Sequence, residues 1–152
     1  IGMASGVVAA LVAITPAAGF VGSMHSFVFG ALAGIICFFA VEAKFRFGFD
    51  DSLDVVGIHL VGGIVGGVLL GFMADSSAVP GGDFIDGVFF GGGILLWNQV
   101  LSIAVVAGFS FIATYIIAKI MDRTIGLRVT EDTEMAGLDA SDHGEAAYVM
   151  EP

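Results

Sequence analysis

Residues 53–74 read LDVVGIHLVGGIVGGVLLGFMA. The segment holds one carboxylate, Asp54, and one histidine, His59; everything else in it is apolar or glycine. A run of roughly 20 apolar residues is what a helix needs to cross the hydrocarbon core of a bilayer. A helix is also one of the few backbones that satisfies its own polar groups there. Gly62 and Gly66, Gly63 and Gly67, and Gly67 and Gly71 fall four apart, a spacing that lets helix backbones approach closely. The segment therefore reads as a membrane helix packed tightly among others. Its glycines lack the Lys-Ser/Thr ending and the strand context of a nucleotide-binding loop.

Three other stretches have the same character, at about 1–15, 21–41 and 88–121, the last long enough to tilt or protrude. Thr15-Pro16, the polar stretch 42–51, and 74–86 with its Pro80-Gly81-Gly82 separate the four. Gly30 and Gly34 repeat the packing interval on the second. Bulk composition agrees: 57% of the 152 residues are hydrophobic, 13% are charged, and the mean hydropathy is +0.99. Soluble domains carry about 25% charged residues. The expected fold class is an all-α polytopic membrane protein with about four transmembrane helices in 1–121 and a polar tail over 122–152. The apolar start at Ile1 has neither an initiator Met nor a signal peptide's basic flank, and it predicts a piece of a longer protein.

Charge sets the orientation. Lys44 and Arg46 follow the second stretch, and Lys119, Arg123 and Arg128 end or follow the fourth. With four alternating spans all five basic residues share one side, while the loop bearing Asp75, Asp83 and Asp86 has none. The positive-inside rule places the basic side and the tail in the cytoplasm, so the expected location is the plasma membrane. Residues 122–152 hold eight acidic and two basic side chains, about −6 of the total −10. Such a tail is solvated and unsuited to nucleic acid or anionic lipid headgroups, which select basic clusters.

Ionisable groups inside a span are costly and call for a reason. Asp54 at the front of its helix suits an N-cap, where a carboxylate meets the positive end of the helix dipole. His59 lies five residues on, about 7–8 Å along the axis. It reads either as a packed histidine bonded to a neighbouring carbonyl or as a group for a small hydrogen-bonding solute or a proton relay, since a neutral imidazole accepts on one nitrogen and donates on the other. His25 reads as an interfacial residue, and Trp97 and Tyr115 as packing or interfacial aromatics. Three isolated histidines and the single Cys37 form no metal set and no disulfide framework. No cofactor is implied, and no nucleophile–base pair argues for an enzyme.

Three blocks then resemble the ammonium transporter/methylammonium permease/Rhesus family, and its microbial and plant ammonium branch in particular. They are 6–19 (GVVAALVAITPAAG), 50–59 (DDSLDVVGIH), and Gly126-Leu127-Arg128-Val129 with Glu134, Gly137-Leu138-Asp139, His143-Gly144-Glu145 and Tyr148. The resemblance runs through essentially the whole chain in order. It implies an eleven-span, homotrimeric fold with a pore in each subunit, the spans here being the eighth to eleventh. By it His59 would be the second of two pore histidines, Val55 would line the hydrophobic conduit, and Asp54 would sit near its inner mouth. The substrate would be ammonium, deprotonated and passed on as ammonia. The first histidine, the phenylalanine gate and the outer recruitment site belong to the part of the family's fold that precedes these residues, so that N-terminal half is an implied partner, as is membrane lipid.

The tail has its own local logic. Thr130 can cap a short helix opened by Glu131 and Asp132, Gly137 can end it, and Asp139 and Ser141 offer turn bonds. The resemblance implies that Arg128, Glu134, Gly137, Asp139, Ser141, His143, Gly144 and Tyr148 belong to a regulatory tail that couples subunits, with a PII signalling protein received on the cytoplasmic face. Ser141 matches a position where plant members carry a regulatory threonine, and a phosphate there would add about −1.5 to −2 charges beside Asp139 and Asp142. Two rivals to a carrier stand: an ammonium sensor of the same fold, and a truncated product that only stabilises an assembly.

Overall fold

The computed structural model describes residues 2–145, and the described residues form helices and turns with no strand. The chain divides between Ala107 and Gly108 into two units.

The first unit is built on α1 (Gly2–Ile14), α2 (Ser23–Phe47) and α3 (Val61–Met73), which pack against one another. The Thr15 hydroxyl donates to Leu11 O at 2.6 Å, and Pro16 starts a 3-10 turn over Thr15–Ala17. Proline has no N–H to continue the helical ladder, so the chain turns there. α2 runs six residues past the apolar stretch 21–41 and ends at Gly48, a left-handed residue (φ 67°) whose N–H donates to Lys44 O at 2.8 Å. Val56–Leu60 is a π-helical turn that leads into α3.

Two apolar layers hold the helices together. Ala17, Phe29, Leu70, Met73 and Ala74 form one, with Phe29 fully buried. Ala9, Cys37 and Ile58 form the other, at the π-turn end of α3. The close approach rests on glycine: a Cβ on Gly66 would enter the shell of the Ala13 carbonyl, whereas one on Gly63 would meet nothing within 4 Å. The four-residue glycine spacing thus marks real contacts on both faces of α3, Gly66 against Ala13 and Gly67 and Gly71 against Ile103 and Leu96, with Gly63 the position that meets nothing.

Beyond α3 the loop is pinned at both ends. Asp75 N donates to Phe20 O at 2.9 Å, Gly87 N to Ala74 O at 2.8 Å, and Ser76 N to Asp86 Oδ1 at 2.7 Å. Asp75 is buried, and its Oδ1 accepts from Ser77 Oγ at 2.6 Å, Ser77 N at 3.0 Å and Ala78 N at 3.2 Å. α4 (Gly93–Thr124) follows, and its first part closes on α3 through Leu96 at Gly71 and Ile103 at Gly67. By length and composition Ser23–Phe47, Val56–Met73 and Gly93–Thr124 can each cross a membrane. α1 is apolar but has 13 residues, short of the roughly 20 a crossing requires.

The second unit holds the rest of α4 and the tail helix α5 (Glu131–Ala136). Thr130 caps α5 by accepting from Thr133 N at 3.3 Å, and Gly137 (φ 90°) ends it. A π-helical turn, Asp139–His143, follows.

Candidate functional site

The sequence candidates of residues 53–74 lie where α2 hands over to α3. After the left-handed turn at Gly48 the chain reaches Asp51, whose carboxylate accepts from Val55 N at 2.8 Å and from Val56 N at 2.9 Å. The carboxylate that receives these amides is therefore that of Asp51 and not that of Asp54. Asp54 is the one non-glycine with positive φ (56°) among the described residues. Its carbonyl still accepts from Ile58 N at 2.9 Å, which begins the helical ladder.

The Asp54 carboxylate pairs instead with Lys44, from the last turn of α2. The Lys44 ammonium also donates to Asp51 O at 2.8 Å and lies 5.2 Å from the centre of the Phe45 ring. Both partners are largely enclosed, with side chains 15% and 22% exposed. Lys44 and Asp51 thus belong to the site although sequence reading had used Lys44 only to orient the chain. The signal available was modest: a carboxylate four and five residues ahead of the first helical N–H groups, and a lysine at the end of the preceding helix.

The π turn sorts the next side chains. Gly57 and Ile58 face inward and are buried, while Val55, Val56, His59 and Leu60 are exposed. π turns interrupt α-helices mostly as single turns and often at functional sites. The imidazole of His59 has no hydrogen-bond partner among the described residues. Val55 and His59 share this open face. Asp54 lines a different space, a groove of about 270 Å³ with Gly6, Cys37, Val41, Glu42 and Ile58. The three sequence candidates are neighbours in the chain but do not converge on one cavity.

His25 lies at the far end of α2, half-buried, with its ring 5.7 Å from that of Phe90. Its Nδ1 is buried without a partner among the described residues. Asp75 feels the His25 charge, but the Ser77 hydroxyl bond is the larger reason its carboxyl is held below the usual range, with the Ser77 and Ala78 amides adding to it. No cluster of three metal-ligating side chains occurs among the described residues.

The tail candidates form a local hydrogen-bonded hook. Arg128 reaches both carboxylate oxygens of Glu134 at 3.0 Å, with both side chains substantially exposed. Ser141 Oγ donates to Gly137 O at 2.8 Å, and Glu145 N donates to Asp139 O at 2.8 Å. His143 closes the π turn, and Gly144 (φ 66°) caps it. Tyr148 lies outside the described residues.

Residues 1–148 match the Ammonium Transporter Family. The chain is 45% identical over 149 residues to the ammonium transporter of Bacillus subtilis, covering 97% of this chain and 36% of that protein. It is 40% identical over 148 residues to the ammonium transporter Amt1 of Archaeoglobus fulgidus, with 97% and 37% covered. A crystal structure of a Mep2 mutant from Candida albicans superposes with a TM-score of 0.79 at 36% identity, covering 97% of this chain and 36% of that one. Mep2 of Saccharomyces cerevisiae gives 0.77 at 32% identity, covering 84% and 30%. The chain spans about a third of the length of these relatives. At such identity over nearly every residue, in sequence and in fold, the chain belongs to the ammonium transporter family.

Proposed function

We propose that these residues form part of a membrane protein that transports ammonium, and that Val55 and His59 contribute one wall of its conduit. The observation that carries this reading is His59 itself. It is an ionisable side chain on an otherwise apolar segment, presented by a π turn to an open face with no partner among the described residues. A group so costly in a membrane is retained for what it binds or relays. The imidazole can accept a proton from ammonium on one nitrogen and donate to the resulting ammonia on the other, which is the basis for placing deprotonation at this face. The opposite wall would come from the remainder of a full-length transporter.

Other elements extend the proposal. The tail, 122–152, is taken as cytoplasmic because all five basic residues fall on one side when crossings alternate. That orientation, in the plasma membrane, would present the hook formed by Arg128, Glu134, Gly137, Asp139, Ser141, His143 and Gly144 to the cytoplasm as a regulatory surface. A homotrimer with PII-type control is the assembly the family resemblance suggests. A phosphate on Ser141 would remove the hydroxyl that donates to Gly137 O and set two added charges beside Asp139 and Asp142.

The test is ammonium-induced current in proteoliposomes containing a full-length transporter that carries this segment, compared with its His59→Ala variant. A saturable current in the parent, cut on the order of tenfold or more in the variant, is expected for a group positioned in the path. Ammonium binding with no passage of ammonium or ammonia in either protein would overturn the conduit and favour a sensor of the same fold.

A further inference from the structure

We propose that Lys44 is a positioning residue of the conduit: its ammonium holds Asp54 in a left-handed turn, and that turn fixes where the helical segment that opens at Val55 and carries His59 in its π turn begins. The inference rests on the transport reading above and adds to it a residue from a different helix.

Four observations bear on it. Asp54 has φ 56°, a conformation that most L-residues avoid and that aspartate tolerates only in suitable surroundings. Residues kept in such regions persist where their surroundings over-determine them. Here the surroundings are Lys44, which grips the Asp54 carboxylate and, at 2.8 Å, the carbonyl of Asp51. Asp51 in turn receives the N–H groups of Val55 and Val56, so one ammonium is tied to both ends of the turn that starts the helix. The pair is largely enclosed, at 15% and 22% side-chain exposure, where it is weakly screened. The first helical hydrogen bond, Ile58 N to Asp54 O at 2.9 Å, then leaves from the residue that Lys44 holds. A change in the φ of Asp54 rotates everything downstream until packing restores it, and the first side chains downstream are Val55 and His59. Lys44 itself touches neither.

The readout must separate positioning from simple loss of folded protein. A full-length transporter is reconstituted and assayed per assembled molecule for ammonium flux and for the ratio of ammonium to methylammonium flux. The variants are Lys44→Met, Lys44→Arg, Asp54→Asn, the Lys44→Met/Asp54→Asn pair, and His59→Ala. Lys44→Met is expected to lower flux about tenfold and to change the ratio, because a displaced conduit wall discriminates differently. Lys44→Arg keeps the charge and the reach and is expected to restore the ratio. If Lys44 acts through Asp54, adding Lys44→Met to Asp54→Asn changes nothing further, the non-additivity expected of one coupled pair. Should Lys44→Met alone fail to assemble, the comparison of Asp54→Asn with the double variant decides, since neither leaves a stranded carboxylate. Three results would overturn the inference: a Lys44→Met protein with parental flux and ratio, a Lys44→Arg protein as altered as Lys44→Met, or a double variant that differs from Asp54→Asn. If His59→Ala itself leaves flux untouched, the transport reading fails first, and the positioning role falls with it.

Discussion

Asp51 and Asp54 stand three positions apart and do different things: Asp51 accepts from the Val55 and Val56 amides, and Asp54 pairs with Lys44. Removing the Asp51 carboxylate leaves two amide N–H groups at the front of the π turn without their acceptors. Asp51→Ala is expected to destabilise the protein by about 1 kcal/mol, the usual cost of a lost cap, as read from thermal unfolding of purified protein in detergent. Hydrogen exchange at Val55 and Val56 should rise with it, and unchanged exchange there would disprove the cap. Asp75 allows a prediction in pH. Its carboxyl is held low, first by the Ser77 hydroxyl and then by the Ser77 and Ala78 amides and the His25 charge, against an opposing effect of burial. A depressed folded-state value means the carboxylate stabilises the loop above the ordinary aspartate range, and that contribution is lost as pH falls through the folded value. The 3-10 turn Ser76–Ala78 should therefore keep its exchange protection through neutral and mildly acidic pH and lose it only at strongly acidic pH. Asp75→Asn should abolish that acid-dependent loss. At this scale the sequence singles out His59 as a candidate, because an ionisable imidazole stands alone among valines and glycines. It did not show Lys44, because the contact that matters spans ten residues and depends on the left-handed turn between them.

Helices were more legible than their ends. Apolar length located α2, the Val56–Met73 segment and α4, yet α2 continues through Glu42, Lys44 and Arg46. Hydropathy reports where a segment can sit in lipid, whereas helix propensity decides where the backbone stops, and these three residues are good helix formers. The end comes at Gly48, which supplies the left-handed cap. The tail helix was readable for the complementary reason: Thr130, Glu131, Asp132 and Gly137 are local signals whose partners lie within a turn. The glycine ladder of α3 was readable as packing but not by face, since spacing gives the period and not the neighbour. Gly66 and Gly63 make the distinction measurable. Gly66→Ala must push the Ala13 carbonyl away and is expected to destabilise the protein by about 1–3 kcal/mol, as overpacking does. Gly63→Ala meets nothing within 4 Å and should be neutral or slightly stabilising, by up to about 1 kcal/mol from helix propensity. Equal effects of the two substitutions on thermal unfolding would contradict the packing of α1 on α3.

For the molecule as a whole, the exposed apolar surface and the placement of charge have to be explained together. None of the residues of α4 is buried, and its length of 32 residues corresponds to about 48 Å against a hydrocarbon core of about 30 Å. Water is a poor solvent for such a surface, which calls for lipid or further protein to cover it, with the excess length taken up by tilt or by protrusion. Lys119 and Arg123 fall in the last turns of α4, as Lys44 and Arg46 do in α2, and the one helical segment between them turns the chain round. The proposed topology, with alternating crossings, would put both basic ends on one side and the loop with Asp75, Asp83 and Asp86 on the other. Lys44 is occupied by Asp54, so its charge is partly neutralised locally, and the orientation leans on Arg46, Lys119, Arg123 and Arg128. A full-length transporter in which Cys37→Ser and the other cysteines are replaced provides the test, with Asp83→Cys or Ser141→Cys added singly. Asp83→Cys is expected to react with a membrane-impermeant maleimide in intact cells, and Ser141→Cys only after permeabilisation. The reverse pattern would invert the orientation and move the tail hook away from any cytoplasmic regulator. Labelling of both in intact cells would mean that the crossings do not alternate, and the five basic residues would no longer define one side.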